Sequence, residues 1–335
     1  MTDTITALPA PFDGAPRIGM GCWAIGGLFR FGEAVAGYAG ANDSDARAAL
    51  EASWEAGVRV FDTAAVYGTG HSEDLIGSVI ADRPGAIVVS KIGFDFDAET
   101  KSMHGPRTDP AFIEASVEAS RQRLRRDQVD VMLLHLNDLA IAEAEPIFDR
   151  LDTLRARGTI GAYGWSTDFP DRAAAFADRP GFVGVQHAMN VLIDAPSMTE
   201  TAERTGLVQM VRSPLAMGLL TGKYGPDRRI AQDDVRNHSQ GWNDYFEDRA
   251  ASPRYAAQIA AVRDLLSVGG RTLTQGALGW LLARSPRALP VPGAKSAAQA
   301  EENAGAIALG PLPQGVMDEI EAILDRPAEG PPRAR

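Results

Sequence analysis

Apolar positions along the chain follow two alternating rhythms. Ala46, Leu50 and Trp54 recur at helical spacing and form one apolar face. Gly57 follows as a residue able to take a left-handed exit, and the run 58–62 has the composition of a buried strand. The same order returns where Pro146 opens a helix with Ile147, Leu151 and Leu154 on one face, Gly158 closes it, and a strand at 160–165 follows. Gly206 ahead of 207–212 is a third instance. With further strands predicted at 17–21, 87–91, 129–135, 182–186 and 289–291, the pattern is a series of β-strands separated by helices.

Parallel strands in such a series either close into a barrel or form a doubly wound sheet with a glycine-rich first turn. Gly19, Gly21, Gly26 and Gly27 do not fit the G-x-G-x-x-G spacing, and no helical pattern follows them directly. The expected fold is therefore a single-domain α/β chain, a (β/α)8 TIM barrel spanning 15–326, with tails at 1–14 and 327–335. Two long loops, 24–42 and 223–252, interrupt the alternation and have the length of binding segments. Trp23, Phe29 and Phe31 are candidates for lining a substrate pocket, and Trp242 and Tyr245 for closing over it.

Composition narrows the partners more than the fold. With 335 residues, 45% hydrophobic and 23% charged, the chain can bury a full barrel core. A net charge of -11 disfavours nucleic acid and anionic membrane surfaces. The single cysteine, Cys22, excludes an intramolecular disulfide and a cysteine-rich metal cage. No secretory-signal pattern or membrane-length apolar run is visible, so a cytoplasmic monomer or small homo-oligomer acting on a small molecule is expected, without a metal.

In a barrel the reactive side chains stand at the C-terminal ends of the strands. Asp62, Lys91 and His135 each end an apolar strand, and Tyr67 lies in the loop just after Asp62. This set suits carbonyl reduction. A phenol can deliver the proton to a developing alkoxide if a neighbouring ammonium lowers its pKa from about 10. Lys91 would be that ammonium, Asp62 the anion that keeps it charged, and His135, neutral, the donor that orients the carbonyl oxygen.

The motifs Phe61-Asp62-Thr63-Ala64 with Tyr67-Gly68, Ser90-Lys91 and Leu134-His135 resemble the aldo-keto reductase superfamily, whose catalytic tetrad is Asp, Tyr, Lys and His in this order. The resemblance runs from Gly19-Met20-Gly21-Cys22-Trp23 to Glu302-Asn303, with a Pro-Gly-Ala segment near the last strand as in bacterial branches. It assigns Asp62, Tyr67, Lys91 and His135 the four catalytic roles. It also implies cofactor contacts at Gly21, Cys22 and Trp23, nicotinamide carboxamide contacts at Ser166, Thr167 and Gln186, and a pyrophosphate wrap by Ser213, Pro214, Leu215, Gly218, Leu220, Gly222 and Lys223. Arg212 stands where many relatives carry a nicotinamide-stacking aromatic, and its guanidinium plane offers a substitute face.

Beyond Gly293, Ser296 and Gln299 have capping-box spacing at a helix start, where backbone N–H groups and Lys295 can hold an adenosine 2'-phosphate. The resemblance adds Gln299, Glu302 and Asn303 on the adenine side. NADPH is the expected cofactor, with NADH the alternative. Besides reduction of aldehydes or ketones, the same residues allow an NAD(P)-dependent sugar or polyol dehydrogenase, or a nucleotide-sensing regulatory subunit. His71 and His104 read as solvated loop histidines, Cys22 by itself as structural, and the basic run 121–126 as a solvated helix face.

Overall fold

In the computed structural model, which describes residues 8–225, 228–232, 234–237, 244–326 and 329, eight parallel strands close on themselves. They are β1 (Met20–Gly21), β2 (Val60–Asp62), β3 (Ile87–Ile92), β4 (Val129–Leu134), β5 (Ile160–Ser166), β6 (Phe182–Ala188), β7 (Val208–Arg212) and β8 (Ala288–Pro290), each paired in parallel with the next. The last seam is made by Gly19 N–H donating to Pro290 O and Gly21 N–H to Pro292 O, both at 2.9 Å, with a parallel bridge between Gly21 and Gly293. A Cβ at position 21 would fall 2.5 Å from the Val291 carbonyl oxygen, so glycine is what allows the seam to close. The predicted barrel is the observed one.

The helix grammar holds with one displacement. The helix Asp43–Glu55 begins on Asn42, whose side chain accepts from Asp45 N–H at 2.9 Å, and leads out through Gly57 at φ 95°. Its Ala46 and Leu50 are buried against the sheet. Pro146, expected to open a helix, lies inside the helix Ile141–Ala156 instead. Ile147, Leu151 and Leu154 are nonetheless buried on one face, as their spacing requires, and Gly158 takes a left-handed conformation after it.

Position 8 onward departs from the expected tail. Leu8 and Phe12 are buried and pack with Val60, Ile87, Val89, Val131, Leu133, Val208 and Met210, residues that fill the barrel interior. Burying a ring such as Phe12 contributes roughly 2–3 kcal/mol, which gives this segment a structural role as a plug. Residues 1–7 and most of 327–335 lie outside the described residues.

The first long loop contains structure of its own. Arg30–Phe31 and Ala34–Val35 pair antiparallel, and Arg30–Phe31 also pairs with Ser102–Pro106, which in turn pairs with Phe94–Asp97. This four-stranded accessory sheet follows from the Phe94-Asp95-Phe96-Asp97 alternation, which turns both rings to one face. Phe31, expected to line a pocket, is 47% exposed and is not among the residues that line the cavity. The basic run 121–126 is only partly a solvated face, because Arg123 Nε reaches the fully buried Glu73 at 2.7 Å.

Candidate active site

The C-terminal ends of β2, β3 and β4 bring Asp62, Lys91 and His135 to one rim, and the loop after β2 folds Tyr67 over them. Lys91 is buried and donates from Nζ to Asp62 Oδ1 at 2.9 Å, Asp62 Oδ2 at 3.0 Å and the Thr63 carbonyl at 2.6 Å. The same nitrogen stands 3.4 Å from the Tyr67 hydroxyl and 4.9 Å from the centre of its ring. Tyr67 is fixed from behind by Gly68, whose φ of 61° brings its α-carbon so close to Gly26 that a Cβ would fall 1.9 Å from the Gly26 carbonyl oxygen. Trp23 stacks on the Tyr67 ring at 5.9 Å, and His135 meets the ring edge-on at 5.9 Å.

Burial opposes the charge on Lys91, but Asp62 and Tyr67 outweigh it and hold its pKa above the ordinary lysine value. Lys91 is therefore an ammonium at neutral pH. His135 is pushed well below its ordinary range, first by burial and then by the cations Lys91 and Arg212, which favours the neutral imidazole. Tyr67 differs from expectation. Burial raises its pKa, and the nearby Lys91 offsets that rise without reversing it.

These groups open onto a cavity of about 460 Å3 that extends from Tyr67 and His135 to the start of the helix Ala297–Leu309. Of the predicted cofactor residues, Gly21, Trp23, Ser166, Arg212, Ser213, Pro214, Leu215, Gly218, Lys223, Gly293, Lys295, Gln299, Glu302 and Asn303 line it. Five others are placed elsewhere. Cys22 is buried, its thiol pKa raised by burial, and points to the Met20 carbonyl. Thr167 donates to Asn137 O at 2.6 Å, Gln186 donates to Asp62 Oδ1 at 2.8 Å, Leu220 is fully buried in the core, and Gly222 supplies a left-handed turn at φ 72°.

Over the wall from Ser213 to Gly218, four residues adopt positive φ: Ser213 at 53°, Ala216 at 48°, Met217 at 53° and Gly218 at 95°. Left-handed backbone at non-glycine positions costs of order 1 kcal/mol or more each and gathers at ligand clamps. Asn190 helps to hold the segment by donating to Ser213 O at 3.1 Å.

The family decides the identity of this arrangement. The model of the aldo/keto reductase family matches residues 17–325. The chain belongs to that family. D-threo-aldose 1-dehydrogenase from Pseudomonas sp. is 32% identical over 328 residues, covering 83% of this chain and 93% of its own. The protein named aldo-keto reductase yakc [NADP(+)], from Schizosaccharomyces pombe, is 24% identical over 329 residues, covering 93% and 89%. Among solved structures, the glycerol dehydrogenase from Gluconobacter oxydans superposes with a TM-score of 0.79 at 26% identity, covering 98% of each chain.

As a family member the chain is an oxidoreductase, and its site has features that sequence reading missed. Arg236 also lines the cavity, clamped by Asp234 at 2.7 and 2.8 Å and bonded to the Tyr224 hydroxyl at 2.6 Å. Tyr38 lies between Arg236 and Lys295, with the two cationic groups 5.5 and 5.8 Å from its ring centre. Nothing in the sequence marks these as a set, because Tyr38, Tyr224, Arg236 and Lys295 lie far apart along the chain and meet only on folding. The predicted capping box is half formed: Ser296 Oγ accepts from Gln299 N–H, while Gln299 Oε1 accepts from Lys295 N–H at 2.9 Å. Tyr245, expected to close over the site, is buried and bonds to Asn190, and Trp242 lies outside the described residues. His71 pairs with Asp43 at the start of the helix His71–Val79 rather than sitting in a loop. Among the described residues no helix is long and apolar enough to cross a membrane, and no group of His, Cys, Asp or Glu is arranged to hold a metal ion.

Proposed function

We propose that the chain reduces aldehydes or ketones to alcohols with NADPH, using Tyr67 as the proton donor. The observation that carries this reading is the buried contact of Lys91 with Asp62 and Tyr67, directly under the cavity.

The donor set of the cavity fits a dinucleotide phosphate. In a chain of net charge -11, the cations Lys223, Arg236 and Lys295 nevertheless line one cavity with the strained 213–218 wall and the start of a 13-residue helix. Such a collection of donors and positive charge suits phosphate groups. Lys295, with Gln299 and Asn303, would hold the adenosine end, and Ser213 to Gly218 the pyrophosphate. Ser166 and Arg212 would flank the nicotinamide. Arg212 is braced by an ion pair to Asp168 and so presents a fixed plane. Glu302 lines this cavity too, so the discrimination between NADPH and NADH rests on Lys295 rather than on an absence of acid.

When bound, the reduced nicotinamide supplies the hydride that adds to the carbonyl carbon. The chain's own residues handle the oxygen. His135, neutral, donates a hydrogen bond that fixes the carbonyl lone pair, and Tyr67 gives its proton to the oxygen as the π electrons move there. The tyrosinate left behind is stabilised by the Lys91 ammonium, which Asp62 keeps charged, and recovers a proton from solvent once product leaves. Because burial raises Tyr67, that ammonium matters most after the proton has gone, when it lowers the cost of the phenolate.

The experiment is a fluorescence titration of the full chain with NADPH and NADH, followed by NADPH oxidation with a carbonyl panel. Tighter NADPH binding together with carbonyl-dependent oxidation is the expected result. Binding without oxidation by any carbonyl would favour a nucleotide-sensing role instead.

A further inference from the structure

Besides Lys223, Arg236 and Lys295, the cavity wall carries the guanidinium of Arg212, the last residue of β7. Its charge reaches the catalytic groups, where it helps to lower the pKa of His135 and opposes the rise at Tyr67. Only one end of this guanidinium is compensated. Nη2 is paired with Asp168 Oδ2, while Nη1 is buried and has no hydrogen-bond partner among the described residues.

The counter-ion is turned away from the ligand space. Asp168 is not among the residues that line the cavity; its Oδ1 accepts from Ala188 N–H at 2.9 Å, and its own N–H donates to Asn137 Oδ1 at 2.7 Å. The ion pair therefore presents its positive end to the cavity. Two carboxylates on the lining do not cancel it. Asp62 receives both contacts from Lys91, and Asp138 is exposed, so water and salt screen its charge.

A nicotinamide that reduces a carbonyl beside Tyr67 and His135 has to lie within the field of Arg212, because hydride and proton go to adjacent atoms of one C=O group. The ring is neutral when reduced and is a cation once its hydride, two electrons with one nucleus, has passed to the carbonyl carbon and the Tyr67 proton to the oxygen. Like charges up to about 10 Å apart, at an effective dielectric constant of about 20, repel enough to shift an equilibrium more than tenfold. Asp168 offsets part of that.

We infer that Arg212 makes the site discriminate between the two oxidation states of its cofactor, holding NADPH more tightly than NADP+ and so biasing the bound complex toward carbonyl reduction. This rests on the reductase reading above and adds to it a residue that sets the direction of the reaction. NADPH and NADP+ carry the same phosphates and differ only at the ring, so contacts elsewhere in the cavity cancel in the ratio of their dissociation constants.

The test measures that ratio by fluorescence quenching of the full chain with NADPH and with NADP+. In the parent, the NADP+ constant is expected to lie about tenfold above that of NADPH. Arg212→Met leaves the Asp168 carboxylate to attract the oxidised ring, so NADP+ should bind more tightly and the ratio fall toward one. Arg212→Lys keeps the charge and should keep most of the preference. Asp168→Asn retains the oxygen that accepts from Ala188 and removes the counter-charge, so the ratio should widen about threefold or more. A general disturbance of the pocket would weaken both forms alike and would not move the ratio in opposite directions in these two variants. Equal affinities in the parent, or a ratio that neither Arg212→Met nor Asp168→Asn changes, would overturn the role of Arg212 and leave the reductase reading intact. Binding of neither form by the parent would overturn both.

Discussion

Gln186 Nε2 donates a hydrogen bond of 2.8 Å to Asp62 Oδ1, joining β6 to β2 across the barrel mouth. The two strands are not neighbours, so the bond exists only because the barrel is closed. It satisfies one oxygen of a carboxylate that is only 5% exposed and that also receives both contacts from Lys91. Gln186 thus positions Asp62 and, through it, Lys91.

Replacing Gln186 by Leu removes this donor and leaves a buried carboxylate under-satisfied. Hydrogen bonds to charged groups contribute about 1.5–3 kcal/mol, so the variant should lose roughly that much in a denaturant titration. Because Asp62 and Lys91 would then shift under Tyr67, kcat is expected to fall about tenfold with the NADPH dissociation constant little changed. A rise in that constant with kcat preserved would mean that Gln186 serves the nicotinamide and not Asp62.

Tyr67→Phe keeps the ring against Trp23 and removes only the hydroxyl that Lys91 faces. The hydroxyl is needed when charge develops on the substrate oxygen, so the variant should bind NADPH as the parent does and lose carbonyl reduction by about a hundredfold to ten-thousandfold. Single-turnover oxidation of bound NADPH measures this directly. Turnover equal to the parent's would remove Tyr67 from its assigned role.

Much of this arrangement is legible in the sequence, and the reason differs from residue to residue. Asp62, Lys91 and His135 stood out because each ends a run of apolar strand residues, where a barrel has no room for an ionisable group unless it faces the mouth. Thr167 and Gln186 were harder to assign, since a strand-end position does not say whether its side chain reaches the cavity or a neighbouring strand. The place of Cys22 after a strand end allows either a structural role or a cofactor contact, and its buried thiol supports the first. The accessory sheet left a usable signal in Phe94-Asp95-Phe96-Asp97, a strict alternation followed by a polar turn. Leu8 and Phe12, bulky apolar residues in a stretch of otherwise small or polar ones, are the corresponding sign that the N-terminal segment packs inward. The Arg236, Tyr38 and Lys295 set left none, because its members lie on separate loops brought together only by folding.

The depressed pKa of His135 has a consequence for stability against pH. In the unfolded chain the group takes up its proton near pH 6.5, whereas in the folded protein burial and the cations Lys91 and Arg212 keep it neutral to lower pH. Below about 6.5 the unfolded state therefore binds more protons, and stability present above that value is lost as the pH falls toward the folded pKa. His187, lowered mainly by its own burial, adds in the same direction. Denaturant midpoints should be nearly constant from pH 7 to 8 and fall on acidification, with a shallower fall in His135→Asn. An unchanged slope in that variant would mean that His135 is not held neutral by the fold.

Lys295 is where the cofactor preference can be tested on its own. Its side chain donates to Ala39 O at 3.3 Å, and burial followed by the charge of Arg236 lowers its pKa, so the ammonium is held in place with few compensating partners. A phosphate would be a stronger partner than a backbone carbonyl. Lys295→Ala should weaken NADPH binding about tenfold or more and leave NADH binding nearly unchanged, because only NADPH carries the 2'-phosphate. Arg236 is a poor choice for the same test, since its removal would strand the buried Asp234 carboxylate and confound affinity with loop stability. Equal losses for both cofactors in Lys295→Ala would shift its role to a group they share, and no loss for either would dismiss the 2'-phosphate site.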